Sequence, residues 1–286
     1  MGESGSKKKS DSLGKVREKS LEEVMKKDKK KVDERVEILR VGVSGASEIQ
    51  VLENLGRILG LKRKKRPILV VTPNSEQVVQ AQQDDVFRSI LNKSDLALPD
   101  GVGIVLASRL LKIAGFKEKS IKKRVSGVDV MEKLCKVVSE KGLKVFLLGG
   151  KGGVAELAAQ RLKKRYSGLQ VKAFAGSQAV EKETREELGE SLARVNGFNT
   201  DVLFVGFGAP MQEKWVWENL DKLRVKVVMV VGGSFDVIAG NVRRAPKWMR
   251  AVGLEWLWRL TQEPWRWRRQ LRLLKFWRLV LKELVG

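Results

Sequence analysis

Acid–base chemistry in this chain has to come from carboxylates or lysines, because the sequence has no histidine and a single cysteine, Cys135. Serine–histidine and cysteine–histidine nucleophiles are excluded, as are histidine-ligated metal sites. One cysteine makes neither a disulfide framework nor a cysteine zinc site. Cys135 lies in an apolar helical run, between Met131 and Val138, and reads as a small core residue. The best-placed carboxylate is Asp100, in Pro99-Asp100-Gly101-Val102-Gly103, directly after the short apolar run at 96–98. At a strand end and a helix start, it suits two roles that do not exclude each other. It can cap a helix, or it can act as a general base and take the proton of an attacking hydroxyl.

Other strand ends carry polar or glycine-rich turns. Thr72-Pro73-Asn74 puts a hydroxyl and an amide at a helix N-terminus, where they cap the helix or bind a ligand. Arg124-Val125-Ser126-Gly127-Val128-Asp129 offers a guanidinium fork for phosphate before another helix. Gly149-Gly150-Lys151-Gly152-Gly153 lets backbone approach a phosphate or ribose closely, but it has neither Walker A nor Gly-x-Gly-x-x-Gly spacing. Gly206-Phe207-Gly208-Ala209-Pro210 leads into Met211-Gln212-Glu213-Lys214, whose polar residues are expected to face one edge. Val231-Gly232-Gly233-Ser234 repeats the pattern of glycine after a strand. Together these turns favour a nucleotide-type ligand, with Gly149, Gly150, Gly208 and Gly233 as candidate contacts.

Positioning such turns requires strands that alternate with helices. Short β-branched runs predict strands at 37–41, 68–71, 96–98, 144–148, 170–174, 201–205 and 227–231. Helical periodicity predicts helices at 75–91, 101–113, 128–141, 154–166, 182–196 and 211–220. Continuous apolar strands suit burial on both faces. The fold class is therefore α/β, a mainly parallel sheet with helices on both faces. The organisation reads as a charged tail at 1–35, a catalytic domain at 36–240 and a helical appendage at 241–286.

The charge of +23 and the pI near 10.2 call for anionic partners. The appendage concentrates this charge, with twelve basic residues against three acids and six of the eight tryptophans. It reads as two helices split at Glu263-Pro264, with Pro264 opening the second. In the second, Trp267, Leu271, Leu274, Trp277 and Leu281 recur at helical spacing beside Arg268, Arg272, Lys275 and Lys282. That is the pattern of a helix lying in a membrane interface. No apolar run is long enough to span a bilayer and the N-terminus lacks a signal-peptide core, so a cytoplasmic, peripheral location is expected. Tryptophan at core spacing argues against nucleic acid as the partner.

In order and spacing, these motifs, with Val145-Phe146-Leu147-Leu148-Gly149-Gly150 and Arg244-Ala245-Pro246-Lys247-Trp248-Met249, resemble the WecG/TagA/CpsF family of glycosyltransferases over roughly residues 36–280. The resemblance implies a Rossmann-like core and a C-terminal helical appendage that completes the active site at the membrane. It implies inverting transfer, without metal or other cofactor, from a UDP-sugar donor, typically UDP-N-acetylmannosamine or its uronate. The acceptor would be undecaprenyl-diphosphate-linked N-acetylglucosamine, in cell-surface polysaccharide or teichoic acid synthesis. On matching positions, Asp100 would be the base, with Thr72 and Asn74 lining the pocket. Arg124 and Gln212 would contact the donor, and Arg244 with its neighbours would neutralise the leaving diphosphate. A homo-oligomer is a further expectation. The alternatives are a non-catalytic nucleotide-sugar or lipid-headgroup binding protein on the same fold, and a nucleic-acid-binding protein motivated by charge alone.

Overall fold

The computed structural model describes residues 34–63, 66–177 and 179–285. The lysine-rich tail falls almost wholly on residues outside the described set, and Arg35, placed at its end, opens the first strand.

The predicted strand at 37–41 is in fact a hairpin. β1 (Arg35–Ile38) and β2 (Val41–Ser44) pair antiparallel, with Ile38 opposite Val41. Leu39 and Arg40 take positive φ values of 48° and 64°, the conformation of a two-residue hairpin turn. Neither residue is the glycine or asparagine that usually marks such a turn, so the apolar run conceals it.

After helix α1 (Glu48–Leu59), the main sheet comprises β3 (Ile68–Val71), β4 (Leu96–Ala97), β5 (Lys144–Gly149), β6 (Gln170–Phe174), β7 (Val202–Gly206) and β8 (Val227–Val230). Their order is β4-β3-β8-β7-β5-β6, and every pairing is parallel. All six C-terminal ends therefore open on one edge of the sheet, the edge where ligands bind in such folds.

Between the strands run α2 (Ser75–Ala81), α3 (Asp85–Lys93), α4 (Val102–Ile113), α5 (Gly127–Glu140), α6 (Val154–Arg165), α7 (Arg185–Gly197), α8 (Met211–Asn219) and α9 (Ser234–Ala239). The predicted helix at 75–91 is thus two. Asp84 accepts from Phe87 N at 2.9 Å and starts α3 afresh. Buried Val78, Val79, Phe87 and Ile90 carry the apolar periodicity straight across the break.

Alternate strand residues feed two cores. Leu69, Val71, Phe146, Leu148, Leu203, Val205, Val228 and Val230 join residues of α2, α3, α4 and α8. Val70, Val145, Leu147, Val202, Phe204, Val227 and Met229 join α1, α5, α6 and α9 on the other face. Cys135 is fully buried in this second core, where desolvation pushes its thiol far above the ordinary range.

The appendage forms α10 (Lys247–Ala251), α11 (Glu255–Gln262) and α12 (Trp267–Val285). Pro264 opens a short 3₁₀ turn that runs directly into α12. Phe276 and Val280 of α12 are fully buried in the first core, and Arg269 pairs with Glu76 of α2 at 2.8 Å. Gly103 permits the close approach of α4 to α2, since a Cβ there would stand 2.4 Å from Ser75 Oγ. The predicted apolar face of α12 divides. Leu271, Leu274 and Leu281 are exposed, whereas Trp277 leans on the core beside Phe276, their ring centroids 5.6 Å apart.

Candidate active site

Three turns at the sheet edge are stitched together around Asp100. Asp100 N donates to Pro73 O at 3.1 Å, and Val125 N donates to Pro99 O at 2.9 Å. Asp100 does not cap its own helix, where Gly101 takes the N-cap position with φ at 141°. Its Oδ2 instead accepts from Gly127 N at 3.2 Å, at the N-terminus of α5. A Cβ on Gly127 would lie 3.3 Å from that oxygen and 3.2 Å from Thr72 Cγ2, so Thr72 and Asp100 converge on one point. Capping and base chemistry therefore remain compatible, since one oxygen receives the amide and the other is available for a proton.

Burial pushes the Asp100 carboxyl above its ordinary range, against the pull of Arg124 and the Gly127 N–H. Glu255 and Asp129 add to the upward push through their negative charge. A stronger base results, which suits proton abstraction from a hydroxyl. Asn74 takes the capping role. Its Oδ1 accepts from Gln77 N at 3.0 Å, and its own N–H donates to Gln77 Oε1 at 3.1 Å, a reciprocal box on α2.

The arginines close the site from the appendage side. Arg124 pairs with Glu255 of α11 at 2.7 Å. Arg244 makes a fork to Asp129, at 2.6 and 2.7 Å, and its Nε lies 3.7 Å from Glu255. Arg259 of α11 packs over Gly233, where a Cβ would meet its guanidinium at 2.8 Å. Glu255, Asp129 and Arg259 had no role in the sequence reading. Arg259 did leave one sign, its four-residue spacing to Glu263, with which it pairs at 2.6 Å.

Gly149 and Gly206 let their turns pack closely, whereas a Cβ on Gly152, Gly153 or Gly208 would meet nothing within 4 Å. Gly149 has φ at 107°, and a Cβ there would strike Gly206 at 2.8 Å. Gly150 N is taken by Gly206 O at 3.1 Å, and Gly208 N by Gln212 Oε1 at 3.2 Å. The Gly150 and Gly208 amides are therefore engaged within the protein. Gln212, Glu213 and Lys214 do not share one edge. Gln212 and Glu213 are both buried, while Lys214, about 100° further round the helix, is part exposed and pairs with Asp84 at 2.6 Å. Among the described residues, no three histidine, cysteine, aspartate or glutamate side chains gather as a metal site.

Residues 36–286 match the glycosyl transferase WecG/TagA/CpsF family. The chain belongs to that family. It is also similar to individual members. A Bacillus subtilis (strain 168) N-acetylglucosaminyldiphosphoundecaprenol N-acetyl-beta-D-mannosaminyltransferase is 35% identical, the match covering 75% of this chain and 79% of that protein. Enzymes of the same name are 31% identical in Staphylococcus aureus (strain MRSA252) and 32% in Bacillus spizizenii (strain ATCC 23059 / NRRL B-14472 / W23). Those matches cover 79% and 74% of this chain, and 84% and 78% of the relatives. The chain is therefore a glycosyltransferase, and the match takes in the appendage as well as the sheet domain. Among the described residues of this transferase, no helix is long and apolar enough to cross a membrane.

Proposed function

We propose that this glycosyltransferase moves N-acetylmannosamine, with inversion and without a metal, from its UDP-sugar to an N-acetylglucosamine carried on a polyprenyl diphosphate. The observation that carries the reading is the juxtaposition at the sheet edge. A carboxylate of raised basicity, Asp100, has Arg124 in its field, and Arg244 belongs to the same charged cluster. The acceptor hydroxyl oxygen bonds to the anomeric carbon and gives its proton to Asp100. The bond from that carbon to the diphosphate breaks, and its electron pair leaves with UDP. Arg124, Arg244 and Arg259 supply the positive charge that the departing diphosphate needs. The relatives' names supply the acceptor and the β-mannosaminyl product.

The same reading places the enzyme peripherally on the inner face of the cell membrane. Leu271, Leu274 and Leu281 are at least half exposed, and Arg268, Lys275, Arg278 and Lys282 on the same helix are exposed. Such a helix gains from apolar insertion and from attraction to anionic headgroups, and a lipid-linked acceptor is presented at that surface.

The test is UDP release from the purified chain in EDTA, with a short-chain polyprenyl-diphosphate-GlcNAc acceptor and a panel of UDP-sugars. Release that needs both acceptor and UDP-N-acetylmannosamine is expected. Release only after a divalent cation is added, or from none of the donors, overturns the proposal.

A further inference from the structure

We propose that Glu213 is a positioning residue for the donor, a single buried carboxyl oxygen that sets the orientation of two amides and, through them, of three strand-end turns. The inference rests on the UDP-sugar reading above. Glu213 is fully buried on α8. Its Oε1 accepts from Gln77 Nε2 at 3.2 Å and from Gln212 Nε2 at 3.0 Å. An amide has a donor end and an acceptor end, so fixing the nitrogen fixes where the oxygen points. Gln77 Oε1 then accepts from Asn74 N at 3.1 Å. Gln212 Oε1 accepts from Gly208 N at 3.2 Å and from Gly232 N at 3.1 Å. Asn74, Gly208 and Gly232 lie in the turns after β3, β7 and β8. Those strands are neighbours in the sheet, in the order β3-β8-β7.

The arrangement has a cost that packing alone does not explain. Desolvation pushes the Glu213 carboxyl up to about 7, and its Oε2 has no hydrogen-bond partner among the described residues. An apolar side chain of similar size avoids that penalty. What an apolar residue cannot do is tell two amides which way to face. Reversing Gln212 would point its NH₂ at the Gly208 and Gly232 N–H groups, so both turns would have to shift. Shifts of that kind at a sheet edge move the groups that receive a nucleotide. Gln212 therefore acts on the donor pocket through the backbone of two turns, with both ends of its amide already engaged.

Two substitutions separate this role from structural support. Glu213→Gln keeps an oxygen that can accept from both amides, whereas Glu213→Leu keeps volume and removes the acceptor. The measurements are UDP affinity by calorimetry, the donor KM and kcat, and the thermal midpoint, all on the full chain in EDTA. Glu213→Gln is expected to stay within about 3-fold of the wild type in affinity and KM. Glu213→Leu is expected to weaken UDP binding and raise KM by about 10-fold or more, with a smaller change in kcat. If that variant does not fold, Gln77→Leu removes one arm of the hub and is expected to raise KM by about 3-fold or more. A folded Glu213→Leu, or failing it Gln77→Leu, with wild-type KM and UDP affinity overturns the inference even if its midpoint falls. Glu213→Gln as damaged as Glu213→Leu overturns the acceptor role. A wild type with no UDP affinity overturns the donor reading, and this inference with it.

Discussion

Arg244 holds Asp129 through two parallel hydrogen bonds of 2.6 and 2.7 Å, joining the stretch after α9 to the first turn of α5 across 115 residues of chain. Glu255 extends the pair, since it lies 3.7 Å from Arg244 and 2.7 Å from Arg124. The two arginines proposed to face a diphosphate are thus aligned and charge-balanced by carboxylates from α5 and α11. Each carboxylate does something further. Asp129 anchors the appendage, and Glu255, together with Asp129, raises the basicity of Asp100.

Asp129→Asn is expected to destabilise the protein at pH 7 by about 2 kcal/mol, the worth of a charged hydrogen-bonded pair. For a chain of this size that lowers the thermal midpoint by about 3–4 °C. Burial alone would raise the Asp129 carboxyl, but Arg244, with help from Arg250 and Arg124, holds it below the ordinary aspartate value. The stabilisation is therefore complete above the ordinary value and is lost as pH falls through the lowered one. The gap between wild type and variant should close at strongly acidic pH. Equal midpoints at pH 7 would show that solvent screens the pair out.

The sheet was legible in the sequence because its strands are continuous apolar runs separated by helical periodicity. Asp100 was legible for a related reason, as a carboxylate set among glycines directly after one such run. The hairpin at Leu39-Arg40 was not, because no glycine or asparagine announces its left-handed turn. The break at Asp84 was hidden because a cap acts on a few backbone amides while periodicity sums over many side chains. Glu255, Arg259 and the Glu213 hub depend on which turns become neighbours in the sheet order. Local spacing holds no record of that order, so residues far apart in the chain gave no sign that they would meet.

Asp100→Asn keeps an oxygen for the Gly127 N–H, so its geometry should survive while its basicity does not. Turnover is expected to fall by about 10²-fold or more, with UDP affinity nearly unchanged. The folded carboxyl has a raised pKa, so ionising it costs stability as pH rises through that value. The variant should therefore melt no lower than wild type at pH 7. In the wild type, the acidic limb of kcat/KM should lie above the ordinary aspartate range. Arg124→Gln removes a lowering influence and should move the limb to higher pH, and Glu255→Gln should move it to lower pH. Shifts in the opposite sense would remove Asp100 as the base.

Replacing Leu271, Leu274 and Leu281 together by Gln should leave the midpoint and UDP affinity intact, because all three are more than half exposed. Sedimentation with anionic vesicles should fall by about 10-fold or more, since each leucine withdrawn from an apolar environment forfeits about 1.5–3 kcal/mol at full burial. Turnover on a long-chain lipid acceptor should drop with it, and turnover on a short-chain soluble acceptor should not. Unchanged vesicle binding would leave the basic residues as the whole of the attraction, and high salt would then abolish it.

Gly233→Ala isolates Arg259. The Gly233 backbone, at φ −80°, accepts alanine without strain. The new Cβ would stand 2.8 Å from a guanidinium nitrogen, which is the far end of a flexible side chain and can move away. Stability should therefore change by less than about 1 kcal/mol, as for a substitution that creates no cavity and buries no polar group. If Arg259 meets the diphosphate, displacing it should raise the donor KM and lower kcat/KM by about 10-fold, the worth of one charged hydrogen bond. Arg259→Gln should do the same, and the double variant should be no worse than Arg259→Gln alone, because both changes remove one interaction. Additive losses would mean that Gly233 contributes through its own backbone. Wild-type kinetics in both single variants would assign Arg259 to the Glu263 pair alone and leave Arg124 and Arg244 to stabilise the leaving group.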